Sequence, residues 1–389
     1  MRIPGFTSTG SKRPEALFGV GAPVGLPVKL ARASGAEVWD IDGRRYLDFI
    51  MALGAVALGY GHAEVNAAAH AAIDAGVVGP LPPESEERLA ERLAGLMPWM
   101  ERTRFLKTGA EAVVAALRLA RAATGREFVL RCGYHGWLDW CQPAGAPGVP
   151  QAVFGLSEPI PFNDVERGRA LIRRHAERLA AVLIEPVVEQ APSPEWLVML
   201  REETRRTGAL LVLDEIKTGF RLSTGGAAQR YDISPDLVVL GKALANGFPL
   251  AAVGGRRDIM DQARRTWISS TLATEMVALA AAEATVAVMV RDAVPDHLAR
   301  VGATMQAGFA RLAAQYPGLI SAAPGIPQMC HLRWTSDETG ARVARGMAAR
   351  GILFKRSAYN FVSLAHDTTM IDQLLAALDE VCHAESQAG

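Results

Sequence analysis

The sequence predicts an α/β protein with a large, mostly parallel sheet covered on both faces and a smaller α+β region built from the two ends of the chain. Three observations carry this. The 389 residues exceed the roughly 100–200 of one ordinary domain. The middle of the chain alternates short apolar runs with longer segments of helical period, as a sheet with crossover helices requires. The stretches before about residue 50 and after about residue 292 break that alternation.

The elements follow in order. Glu37–Ile41 and Arg45–Phe49 are predicted as a hairpin joined through Asp42-Gly43, a pair suited to the positive φ of a tight turn. Thr103–Leu106 reads as a strand and Ala110–Ala122 as a helix, with Val113, Val114 and Leu117 on one face and Arg118 and Arg121 elsewhere. Phe128–Arg131 is the next strand. Asn163-Asp164 signals the start of a helix, and the Ala181–Ile184 strand follows it. A helix over Glu195–Arg206 stops at Gly208 and feeds a strand over Ala209–Leu213. Leu237–Leu240, Leu250–Val253 and, towards the C-terminus, Met329–Trp334 are further strands. The expected organisation is a larger domain over residues 56–290 and a smaller one formed by 1–55 with 291–389.

Composition narrows the function classes. Lys+Arg and Asp+Glu both total 41, so there is no electrostatic footprint for nucleic acid or an anionic membrane. Polar and basic residues (Thr7, Ser8, Thr9, Ser11, Lys12, Arg13) stand where a signal peptide needs an apolar stretch. No apolar run reaches the ~20 residues of a membrane span. Cys132, Cys141, Cys330 and Cys382 form no C-x-x-C pair or zinc-spaced cluster, so no metal site is expected. A cytoplasmic protein with free thiols is the expectation. Only six of the 41 basic residues are lysines. Lys12, Lys29 and Lys355 are expected to be solvated.

In open parallel sheets, ligands bind beyond the C-terminal strand ends. Those ends here carry Lys107-Thr108-Gly109-Ala110-Glu111, then Cys132-Gly133-Tyr134-His135-Gly136-Trp137, then Glu185-Pro186, Asp214-Glu215 and Gly241-Lys242-Ala243. A helix start suited to a phosphate, an aromatic ring, carboxylates and a lysine thus reach one edge. Pyridoxal phosphate (PLP) chemistry wants this set. A lysine amine forms a Schiff base with the cofactor aldehyde, and a carboxylate keeps the pyridinium nitrogen protonated.

The residues LLVLDEIKTGFR…PDLVVLGKALANGFPLAAVGG, together with KTGAEAVVAALRLARAATGR, CGYHGW, LIEPV and SLAHD, resemble the class III aminotransferases of the fold-type I PLP enzymes. The likeness runs from about residue 25 to 380, towards the branch around glutamate-1-semialdehyde aminomutase. Its most specific part is D-E-x-x-T-G-F-R with G-K-A following from Asp214 to Lys242. The resemblance implies a fold-type I architecture with a seven-stranded-type sheet. It implies that Lys242 carries the Schiff base and moves the proton between substrate carbon and cofactor C4′, and that Asp214 pairs with the pyridinium nitrogen. Thr108, Gly109 and Ala110 would bind the phosphate. Tyr134 would stack on the ring with His135 and Gly136 shaping its turn, and Ile216 would pack on the opposite face. Glu185 would support the cofactor hydroxyl region. Thr271 would reach the phosphate of a neighbouring subunit, making the active unit a homodimer with its site at the interface. Lys217 is expected to be structural, as the family varies there, and Trp137 and Trp140 to pack.

Departures from the pattern bear on the substrate. Thr-Gly-Ala at 108–110 stands for the more frequent Ser-Gly-Thr. Ser269–Glu275 lacks the usual Gly-Asn-Pro, and Gly10-Ser11-Lys12-Arg13-Pro14 does not match the aminomutase's carboxylate-binding stretch. Lys355–Asn360 replaces the acidic segment of a true aminomutase. The expectation is therefore transamination between an amino donor, glutamate by family habit, and a keto or aldehyde acceptor. Arg221 and Arg356 are candidate partners for a substrate carboxylate. The side-chain pocket is expected to be apolar, drawn from Phe49–Gly54, the loop after Tyr134 and the partner's Ser269–Glu275. A PLP-dependent isomerase (aminomutase or amino-acid epimerase) uses the same residues, and a catalytically silent PLP-binding paralogue is the remaining alternative.

Overall fold

The computed structural model describes residues 2–21 and 25–388. It divides into two compact units, one of residues 64–295 and one of residues 1–63 with 296–389. The larger unit holds a seven-stranded sheet: β1 (Arg102–Leu106), β2 (Phe128–Cys132), β3 (Ser157–Pro159), β4 (Leu179–Ile184), β5 (Leu210–Asp214), β6 (Leu237–Leu240) and β7 (Ala251–Gly255). The spatial order is β1-β7-β6-β5-β4-β2-β3. β7 runs antiparallel to both β6 and β1, and all other pairs are parallel. β4, β5 and β6 are buried at every residue, so they read as unbroken apolar runs, as strands covered on both faces must.

The helices start and stop where local chemistry directs. The helix Gly109–Thr124 opens on a capping box between Thr108 and Glu111 and closes at Gly125 in the left-handed region. Its face of Ala112, Val113, Ala116 and Leu119 joins the core formed with Val129, Leu183, Val212 and Val253. Asp164 and Ser193 cap the helices Val165–Arg174 and Pro194–Thr207, and Gly208 ends the second. These two helices pack together, and Glu203 joins them. Its side chain is 3% exposed and pairs with Arg173 at 2.6 Å, Arg206 at 2.5 Å and Arg169 at 3.2 Å.

In the smaller unit both chain ends share one sheet. The hairpin Glu37–Asp40/Arg45–Asp48 pairs antiparallel, and Ile352–Leu353 adds parallel to its second strand. Asp40 Oδ1 accepts from the N–H groups of Asp42 and Arg44, and so closes the Asp42-Gly43 turn. The single strand expected over Met329–Trp334 is two short pieces. Met329–Cys330 pairs with Asn360–Phe361 and Gly325–Ile326, whereas Arg333–Trp334 pairs with Ile320–Ala322. The chain leaves one sheet for another across His331-Leu332, which an apolar pattern alone does not mark.

Among the described residues no helix is long and apolar enough to cross a membrane.

The Arg173 hydrogen bond, ahead of the others, holds the Glu203 carboxyl down at about 2. A carboxylate depressed in the folded state stabilises above its unfolded pKa and loses that contribution as pH falls towards the folded value. The protein is therefore expected to lose stability between about pH 5 and pH 2. Glu203→Gln should be less stable at pH 7 yet fall less over that window, as denaturant titrations at each pH will show.

Candidate active site

The site is assembled from the strand ends of the larger unit. β5 ends in Asp214, which is 2% exposed. Its Oδ2 lies 2.7 Å from Nδ1 of buried His135, and its Oδ1 accepts the Ile216 N–H at 3.2 Å. A carboxylate at this depth must be bonded. Here the bonds tie the turn after β2 to the end of β5.

β4 runs directly into Glu185, whose Oε2 accepts the Tyr134 N–H at 3.0 Å. Its Oε1 lies 3.1 Å from the Lys217 ammonium. Gly133 makes this approach possible: its φ is +107°, and a Cβ there would stand 2.6 Å from Glu185 Oε2. The Tyr134 side chain lies outside the core, with the residue 72% exposed.

β6 ends at Leu240, and Lys242 opens the tight turn Lys242–Ala245. Lys242 has φ +43°, a left-handed conformation that costs a side-chain-bearing residue about 1–2 kcal/mol. Buried Ala243, Leu244 and Ala245 hold it there. Desolvation lowers the Lys242 amine pKa. Glu185 and Asp214 oppose that shift, while Lys217 and Arg221 add to it.

Ile216 fills the space between two residues that lack side chains. A Cβ on Gly109 would lie 2.5 Å from its Cδ1, and one on Gly241 would lie 3.5 Å from its Cγ2. At the start of the helix that follows β1, Thr108 N–H donates to Glu111 Oε2 at 2.9 Å, and Thr108 Oγ1 accepts the Glu111 N–H at 3.3 Å. The Thr108 hydroxyl is thus committed to the cap. The N–H groups of Gly109 and Ala110 have no acceptor within the helix and suit an anion. Gly136 of the β2 turn seats against Ala110.

The remainder of the D-E-x-x-T motif is structural. Glu215 is buried and accepts from Thr218 Oγ1 at 2.6 Å and from the N–H groups of Ala227 and Ala228 at 2.7 Å each. It caps the short helix Gly226–Arg230 and fixes the loop beside the site.

Contacts therefore join Asp214, His135, Ile216, Gly109, Ala110, Tyr134 and Glu185. Thr271 stands exposed in its loop and is hydrogen-bonded to none of them. That loop is tethered differently. Glu275 caps the helix Met276–Arg291 through the Val277 and Ala278 N–H groups at 2.8 and 3.0 Å, and pairs with Lys107 at 2.7 Å. In the sequence, an acid directly before an apolar helical run is the only signal of this link between the two loops.

Several expectations change. Arg221 is fully buried, and desolvation brings its pKa down to about 10; it offers no surface to a substrate carboxylate. Arg356 is buried too. Its Nη1 is bonded to the Asp337 carboxylate and its Nη2 to the Glu15 carbonyl. Lys355 is not a solvated group: it is 3% exposed and donates to the carbonyls of Ser11 and Ala16, with its pKa brought down by burial to about 8. Trp140 packs against the core, whereas Trp137 is 73% exposed. Phe49 and Met51, expected to line a pocket, are fully buried. Among the described residues no cluster of His, Cys, Asp or Glu could hold a metal.

A model of the class III aminotransferase family matches residues 21–384, and the chain belongs to that family. It is similar to FumI from Sphingopyxis sp. MTA144, solved in its PLP internal aldimine form, at 28% identity over 96% of this chain and 91% of that one, TM-score 0.89. It is also similar to a β-phenylalanine aminotransferase from Variovorax paradoxus, at 29% identity over 99% and 92%, TM-score 0.87. A glutamate-1-semialdehyde aminomutase from Pseudomonas aeruginosa PAO1, at 23% identity over 92% and 87%, shares the fold with a TM-score of 0.83. The protein is a fold-type I aminotransferase, and its cofactor is PLP. The residues present fit that group. A buried, oriented acid, a desolvated lysine, a helix start with open N–H groups and an apolar isoleucine floor stand at neighbouring strand ends.

Gly133→Ala adds a Cβ in a left-handed conformation against a carboxylate pinned by Lys217. It is expected to destabilise the protein by roughly 1–3 kcal/mol and to weaken PLP retention about tenfold. Chemical denaturation and equilibrium dialysis check this, and unchanged values in both would contradict the role given to the turn.

Proposed function

We propose that Lys242 is the cofactor-bonding lysine and proton carrier of a transamination between an amino donor, glutamate or a similar amino acid, and a keto or aldehyde acceptor. The observation that carries this is the placement of a desolvated lysine and a buried, histidine-bonded aspartate on adjacent strand ends, β6 and β5. Bound PLP supplies an electron sink for the carbanion left when a substrate carbon loses its proton. Asp214, oriented by His135, holds the proton on the cofactor's ring nitrogen. Gly109 and Ala110 receive the phosphate at the helix start, with Thr108 shaping the cap. Tyr134 and Ile216 would hold the ring when the cofactor is bound, and Glu185 fixes the turn that carries Tyr134.

Lys242 acts as base at the substrate carbon and as acid when the proton returns. A base must be unprotonated to accept, and burial favours the neutral amine. The active unit is a homodimer in which Thr271 of each chain serves the other's phosphate; its exposed loop position supports this. Four free cysteines fit a reducing, cytoplasmic setting.

The test is a donor–acceptor panel on PLP-loaded protein, read from the cofactor's visible band. The band should bleach on adding an amino donor and return on adding a keto acid or aldehyde. Conversion of one substrate with no acceptor consumed would indicate an isomerase instead. Lys242→Ala should lose the lysine-bound band and at least about 10²-fold in turnover; a normal band and rate would refute the assignment. Light scattering should give the mass of two chains.

A further inference from the structure

Lys217 and Lys242 both lie at the site, and the chemistry above uses only Lys242. Lys217 has a side chain 9% exposed and sits 3.1 Å from Glu185 Oε1. A buried ion pair adds little to stability compared with an apolar pair of the same volume, so its value lies in where it places charge. Glu185 bonds the Tyr134 turn through its other oxygen. Without a cation beside it, Glu185 would be a second buried carboxylate near Lys242, alongside Asp214, and would favour the protonated amine. A protonated amine cannot take a proton from substrate.

We propose that Lys217 is a positioning residue of this enzyme: its ammonium, held by Glu185, cancels that carboxylate's pull and keeps the Lys242 nitrogen in its unprotonated, working form. The inference rests on the assignment of Lys242 as the cofactor-bonding lysine. The groups bearing on Lys242 are Glu185 from the end of β4, Asp214 with its partner His135, and Lys217 and Arg221 beyond β5. Cys132, at the end of β2, is neutral at working pH, because burial pushes its thiol up to about 12. The helix Met276–Arg291 packs on the Lys242 turn. Its two charged side chains are engaged elsewhere, Glu283 with Arg88 and Arg291 with Glu64 and Asp292. Lys217 and Arg221 are thus the cations set against the two carboxylates, and Lys217 lies 3.1 Å from one of them, Glu185.

The experiment is a pH titration of the visible band of the PLP-loaded protein in wild type, Lys217→Met, Lys217→Arg and the double variant Glu185→Gln/Lys217→Met. Removing the cation while leaving the carboxylate should raise the pKa of the lysine-bound cofactor nitrogen by about one pH unit or more. Lys217→Arg should titrate like wild type. The double variant, which removes both charges, should return to within about half a unit of wild type. An unshifted Lys217→Met, or a double variant shifted as far as the single one, overturns the proposal. If Lys217→Met does not fold, the double variant and Lys217→Arg carry the test, and a shift of a unit or more in either overturns it. A wild-type protein with no lysine-bound band removes the Lys242 assignment and this inference with it. A normal wild-type band with no shift in Lys217→Met removes this inference alone.

Discussion

The hydrogen bond between Asp214 and His135, 2.7 Å long and buried at both ends, is the constraint on which the rest of the site depends. A carboxylate at the end of a fully buried strand cannot stay unbonded. Its partner comes from a turn two strands away in the sheet. That bond fixes the turn after β2, and the turn in turn seats Gly136 on Ala110 and brings the Tyr134 N–H to Glu185. Glu185 then meets Lys217, which is three residues along the chain from Asp214. Asp214, His135, Tyr134, Glu185 and Lys217 form a closed set of interactions across three strand ends rather than a row of independent residues.

Lys242 stands on the neighbouring strand under a different constraint. Its left-handed backbone is strained, and the buried Ala243–Ala245 turn bears the strain. A parallel sheet delivers all of these residues to one edge because every crossover returns the chain in the same direction. The antiparallel β7 does not disturb this, since it lies between β6 and β1 and both of those still point the same way.

Much of the fold was legible because strands buried on both faces leave continuous apolar runs; Ala181–Ile184 and Leu237–Leu240 are examples within β4 and β6. Ser157–Pro159 was not legible: it is a three-residue edge strand of Ser, Glu and Pro with no apolar pattern. The split of Met329–Trp334 between two sheets also leaves no local trace, because two-residue pairings are set by long-range neighbours. At the site, residue types at strand ends and the D-E-x-x-T-G-F-R segment pointed to Asp214 and Lys242. What the sequence could not show was which charges meet. Lys217 with Glu185, Lys107 with Glu275 and Arg356 with Asp337 join residues far apart in the chain. The burial of Lys355, bonded to carbonyls near the N-terminus, depends in the same way on tertiary structure.

Lys242 is the one lysine of six proposed to bond the cofactor. Borohydride reduction of the PLP-loaded protein, followed by peptide mass mapping, tests it most directly because reduction makes the bond permanent wherever it lies. A single reduced adduct is expected on the peptide carrying Lys242 and none on Lys217. An adduct on Lys217, or spread over several lysines, would contradict it.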